Sequence, residues 1–127
     1  MESAQNQAES DIAALQRKIL AFAAEREWGQ FHDPKNLAMA VAVEAGELMD
    51  HFRWVRNDAS RALLDDARTR SEVEEEVADV MILLLEFAAV TGIDVAKAVE
   101  RKLEINGRKY PVERSKGRSE KSGRWPE

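Results

Sequence analysis

EVEEEVADVMILLLEFAAVT, residues Glu72–Thr91, opens with five acids in eight positions and continues as an apolar run from Val80 to Leu85 that stops at Glu86. Nothing in it breaks a helix, and Thr91-Gly92 supplies a stop. Ser71-Glu72-Val73-Glu74 fits a capping box, which sets the predicted start at Ser71. Glu76 and Asp79 stand three apart where acid gives way to apolar residues, so they project from one face. Their neighbours Val77, Ala78, Val80, Met81 and Ile82 read as core. A carboxylate in such company is unfavourable unless its charge is compensated. A second pair at the same spacing, Glu44 and Glu47, lies in LAMAVAVEAGELM, residues 37–49. Two such pairs brought face to face make a cage of four carboxylates.

The flanking segments are also helical. Ile12, Leu15, Ile19, Phe22 and Ala23 recur at helical spacing, which predicts a first helix from Ser10 to Trp28 with Gly29 as its stop and a frayed start over residues 1–9. Asp33-Pro34 is a cap followed by a residue suited to the first helical position, so a second helix is predicted from Pro34 to Val55. Apolar residues cover nearly all its faces between Leu37 and Val43, as in a helix surrounded by others of its own chain or a partner's. Leu63-Leu64 marks a short helix inside the polar stretch 57–70. Asp94 caps a fourth helix to Ile105, and Gly107 and Pro111 close the helical part. No strand alternation and no fixed repeat is present. The expected fold is an all-α, four-helix-type bundle over residues 1–111, with a basic, mobile tail over 112–127.

Composition narrows the functions available. At 127 residues the chain fits one domain, and only three prolines and six glycines interrupt it. The absence of cysteine excludes disulfides, zinc–thiolate sites and thiol nucleophiles. The polar, acidic start is unlike a secretory signal, and the apolar run of helix three is too short to span a bilayer, so a cytoplasmic protein without a membrane partner is expected. Residues 1–100 carry 10 basic against 20 acidic side chains, while residues 101–127 carry 9 against 4. An acidic body argues against nucleic acid as a partner. A basic C-terminal end is suited to the phosphates of a small ligand.

Carboxylate oxygens are hard ligands for Mg²⁺ or Mn²⁺. Crowded together without cations they repel, and some take up protons. Divalent ions resolve that conflict and make phosphoryl chemistry the natural reaction class. Glu72, Glu74 and Glu75 read more simply as a solvated helix face, whereas Glu44 is embedded in apolar sequence on both sides. His32-Asp33 lacks the further histidines of a metal-dependent His-Asp site, and Asp33 is better explained as a cap. A di-iron bundle needs two Glu-x-x-His pairs, and His51 follows Glu47 by four. Met39, Met49 and Met81 read as packing, and His51 as structural.

Three blocks together resemble a known family: EREWGQFHDPKNLAMAVAVEAGELMDHFRW (25–54), EEVADVMILLL (75–85) and KLEINGRKYPVE (102–113). In order and spacing they are similar to the MazG-like, all-α nucleoside triphosphate pyrophosphohydrolases, in particular the short dCTP pyrophosphatase type. The resemblance implies Mg²⁺-dependent hydrolysis of a nucleoside triphosphate to the monophosphate and pyrophosphate by a homodimer or homotetramer with sites near subunit interfaces. It makes Glu44, Glu47, Glu76 and Asp79 metal ligands and Trp28 to His32 a substrate-contacting segment. It places Trp54 near the base and gives Lys102, Asn106, Lys109 and Tyr110 to the phosphates. Val43 stands where many relatives have a second Glu, which leaves metal-activated water or another carboxylate, Glu75 or Glu47, to serve as base. Leu83 and Ile19 stand where dCTP-type relatives often carry Tyr and His, so cytosine preference does not carry over. The competing expectation is a helical adaptor that keeps the fold without catalysis.

Overall fold

A computed structural model describes residues 8–125 of the chain. Its helices are α1 (Asp11–Glu25), α2 (Pro34–Asp50), α3 (Ala67–Thr91), α4 (Val95–Lys109) and the single turn α5 (Val112–Ser115). Short 3-10 turns occupy Trp28–Phe31, Asn57–Ala59, Ala62–Asp65 and Ser122–Arg124. No strand occurs among the described residues, in keeping with an all-α fold. No described helix is long and apolar enough to cross a membrane. The frayed start expected for residues 1–9 lies, over 1–7, outside the described residues. The chain divides between Ile93 and Asp94 into two compact units.

In the first unit α3 packs against both α1 and α2. Helix α3 begins at Ala67, four residues before the predicted Ser71. The capping box is bypassed because Asp66 accepts from Thr69 N at 2.9 Å and from Thr69 Oγ1 at 2.8 Å. Those two bonds hold the Asp66 carboxyl below its ordinary range. Helix α1 ends at Glu25, not Trp28, because Glu27 turns into the left-handed region at φ 54°. That conformation is unfavourable for a residue with a Cβ, and it starts the turn that carries Trp28. Gly29 is therefore not the stop. Helix α2 ends at Asp50, five residues early, and the chain continues through turns held by Phe52 N and Arg53 N on Met49 O. Asp33 caps α2 as expected, accepting from Asn36 N at 3.0 Å with Pro34 next to it.

Helix α3 closes in a left-handed cap at Gly92, φ 71°, with Ile93 N on Ala88 O at 2.9 Å and Gly92 N on Ala89 O. In the second unit Asp94 caps α4 through Lys97 N, and the helix runs through Gly107 to Lys109 rather than stopping at Ile105. The two glycines therefore have opposite roles. Gly92→Ala is expected to lower the urea unfolding free energy by about 1 kcal/mol, because alanine is strained at positive φ. Gly107→Ala, in helical backbone with open space around it, is expected to raise it by roughly 0.5–1 kcal/mol. In the segment expected to be a tail, Ser115 Oγ donates to Tyr110 O and Pro111 O, and the Tyr110 and Trp125 rings meet edge to face.

The core of the first unit is small: Ala23, Leu37, Val73, Leu85 and Ala88 are buried, together with Glu86. Met39, Val43 and Met49 of α2 are more than half exposed, so the described residues of the first unit do not surround that helix. An apolar groove of about 470 Å³ runs beside α1 and α3 and includes Ile19, Phe22, Met81 and Ile82.

Candidate functional site

Helices α2 and α3 run antiparallel, as their cross-pairs require. His32, before α2, meets Glu86, and Glu44 and Glu47 farther along meet Glu76. Spacing of three residues puts Glu44 and Glu47 on one face of α2, and Glu76 and Asp79 on one face of α3. Helix packing then converts two sequence pairs into one cluster. Glu44, Glu47 and Glu76 each bring one oxygen within 4.8 Å of the others. Asp79 stands beside them, near enough that its charge bears on both Glu44 and Glu76, but its oxygens fall outside the 4.8 Å group.

The electrostatics are those of carboxylates forced together. A hydrogen bond shared with Glu47, then burial, then the charges of Glu47, Asp79 and Glu76 push the Glu44 carboxyl up to about 7. Glu76 is raised first by burial and then by Glu47 and Asp79, with His51 acting in the opposite sense. His51 Nε2 lies 3.8 Å from Glu76 Oε1. Glu44 Oε2 and Glu76 Oε2 are buried without a hydrogen-bond partner among the described residues. Buried acceptors of that kind are rare unless a ligand or ion completes them. Hard oxygens at this separation, on carboxyls two of which also carry an unsatisfied oxygen, suit a divalent cation.

Glu75 precedes Glu76 and is therefore turned about 100° around α3. It is exposed and outside the cluster. Trp28 packs edge to face on Phe22 at 5.8 Å and on His32 at 6.2 Å, and the Arg26 guanidinium covers the Phe22 ring at 3.6 Å. His32 shares a hydrogen bond between its Nδ1 and Glu86 Oε1. Trp54 is 84% exposed, with the Arg53 guanidinium 4.8 Å from its ring. In the second unit Lys102, Asn106 and Lys109 lie on one face of α4 by their spacing. There Lys109 Nζ is 5.6 Å from the Tyr110 ring centre.

Two residues stand out in the fold that do not in the sequence. His51, structural by its sequence context, sits against Glu76. Glu86, in sequence only the end of an apolar run, is 3% exposed. Its position does carry a signal: an acid seven residues after Asp79 continues the same helical face into the core.

Known proteins are similar to this chain in sequence and in fold. A model of the MazG-like family matches residues 39–124. Bovine dCTP pyrophosphatase 1 is 38% identical over 109 residues, 86% of this chain and 64% of that protein. The human protein of that name is 36% identical over 118 residues, 93% of this chain and 69% of its own length. This chain thus spans somewhat less than two-thirds of the bovine relative. A crystal structure of a pyrophosphatase from Archaeoglobus fulgidus is 39% identical with a TM-score of 0.77, covering 84% of this chain and 97% of that one.

Proposed function

The chain belongs to the MazG-like family, and from that premise we propose that it hydrolyses a nucleoside triphosphate to the monophosphate and pyrophosphate. The observation that carries the proposal is the convergence of Glu44, Glu47 and Glu76 with two buried oxygens lacking partners. With Asp79 beside them, these residues would hold Mg²⁺ or Mn²⁺. A cation bound there supplies polarisation and charge neutralisation at phosphate oxygens. An adaptor has no use for such a cluster, since its mutual repulsion would be pure loss.

The chain's own groups divide the remaining work. Water adds to the α-phosphorus, the bond to the bridging oxygen breaks, and pyrophosphate leaves. Glu47, the exposed member of the cluster, takes the proton of that water; Glu75 on the adjoining face is the alternative base. Lys102, Asn106, Lys109 and Tyr110 bind phosphate oxygens, and Trp28, His32 and Trp54 contact the nucleoside. The exposed apolar faces of α2 and α3 support a homodimer or homotetramer. The lack of cysteine, and of a described helix long and apolar enough to cross a membrane, supports a cytoplasmic location.

Incubation with each common NTP and dNTP, with products resolved by phosphorus NMR, is expected to yield monophosphate and pyrophosphate in equal amounts. Ile19 and Leu83 offer a base no hydrogen bond, so kcat/KM is expected to differ among bases by only about tenfold. Release of orthophosphate instead, or no turnover of any nucleotide, overturns the assignment.

A further inference from the structure

Among the described residues of the first unit Glu86 is the most deeply placed charged side chain, 3% exposed and flanked on α3 by the buried Leu85. The fold of α3 does not need it, because an apolar residue there would extend the run of Ile82 to Leu85. A lone buried carboxylate is unfavourable, and replacing a buried ionic pair by apolar side chains is often neutral or stabilising. Its one described partner is Nδ1 of His32, 54 positions away in sequence. His32 is partly open, its side chain 23% exposed, and its ring meets Trp28 edge to face. No hydrogen bond reaches its Nε2 among the described residues. A carboxylate that takes one imidazole nitrogen fixes the ring's orientation and leaves the other nitrogen for a ligand. Glu86 also stands seven residues beyond Asp79 on the same helical face, roughly 10 Å along the axis at the helical rise. Triphosphate held near Asp79 would extend its nucleoside over about that distance.

We propose that Glu86 is a positioning residue of the nucleotide site: its buried carboxylate holds the His32 imidazole so that Nε2 meets the nucleoside of the bound triphosphate. The inference rests on the functional reading above, in which His32 contacts substrate. It adds an element of nucleoside binding two helical turns from the carboxylate cluster.

Glu86→Leu fills the site with an apolar side chain of similar size and cannot hold the ring. Glu86→Gln keeps an acceptor for Nδ1–H without the charge. Binding of a non-hydrolysable α,β-imido nucleoside triphosphate with Mg²⁺ is measured by calorimetry for the full chain, beside the melting temperature and the affinity for Mn²⁺ alone. Glu86→Leu is expected to weaken nucleotide binding about tenfold, the equivalent of roughly 1.4 kcal/mol. Its melting temperature and Mn²⁺ affinity should stay at wild-type values. Glu86→Gln should restore most of the nucleotide affinity. In a His32→Ala background the Leu substitution should have no further effect on binding, since Glu86 acts only through that ring. Unchanged nucleotide affinity in Glu86→Leu overturns the role, as does an equal loss in the His32→Ala background. Should Glu86→Leu fail to fold, Glu86→Ala takes its place in the same cycle: a loss of affinity that disappears in the His32→Ala background upholds the role, and unchanged affinity or an equal loss in both backgrounds overturns it. Wild-type protein that binds no nucleotide removes the functional reading and this inference together, which separates that failure from a loss confined to the dyad.

Discussion

Glu44→Gln is expected to reduce pyrophosphate release by a factor on the order of 10³ and, at pH 8 without divalent ions, to melt at a higher temperature than the wild type. Most core-facing substitutions destabilise, so a gain in stability with a loss of activity is a specific signature. The physical source is the crowding around Glu44, whose carboxyl is pushed up to about 7 from the usual 4.5 by its hydrogen bond with Glu47, by burial and by neighbouring charge. Below pH 4.5 the group is protonated in both folded and unfolded chains and has no linkage effect. Between 4.5 and 7 the folded chain keeps a proton the unfolded chain has lost, so stability falls as pH rises. Above 7 the full penalty persists. Glutamine carries no charge at any of these values. The difference in melting temperature between variant and wild type should therefore be absent below about pH 4.5, grow up to 7 and stay level beyond it. Calorimetry across this range with a chelator present makes the comparison. A variant that melts lower than wild type at pH 8, or keeps wild-type turnover, removes Glu44 from the proposed role.

Helix periodicity makes α2 and α3 legible in the sequence, because Glu44-x-x-Glu47 and Glu76-x-x-Asp79 each define a face by spacing alone. Caps are legible where a single residue type decides them, as at Asp33, Gly92 and Asp94. The helix ends that differ from expectation have two acceptable answers in the sequence. Asp66 and Ser71 both can cap α3, and Asp66 prevails through two bonds to Thr69. Glu27 ends α1 in a conformation that glycine favours, although Gly29 stands two residues later. Helix α2 is shorter than its pattern implies, because the composition stays helical past Asp50 while the backbone tightens into turns. Long-range pairing is the least legible. Nothing near Glu86 in sequence announces His32, and the short interval from Glu47 to His51 hides that His51 belongs beside Glu76 of another helix.

Stabilisation by Mg²⁺ or Mn²⁺ should itself depend on pH, and in the sense opposite to the intrinsic stability of the cluster. A cation competes with protons for the same oxygens, so binding to a protonated Glu44 releases its proton. Affinity should thus rise as pH increases to about 7, the value to which Glu44 is pushed, and level off above it. At a hundredfold excess over Kd the native state gains about 2.7 kcal/mol, which for a domain of this size is a rise of several degrees in Tm. The rise should be large at pH 8, small at pH 5, and much reduced at both in Glu44→Gln. Turnover should vanish with a chelator and return with excess Mg²⁺ or Mn²⁺. A Tm rise that ignores pH, or one equal in Glu44→Gln and wild type, would mean that the ion binds elsewhere on the acidic surface. The same titration separates enzyme from adaptor, because repulsion that weakens the metal-free fold is the source of the affinity that a bound cation recovers. A scaffold without that function has no force opposing loss of Glu44, Glu47 or Glu76 by substitution.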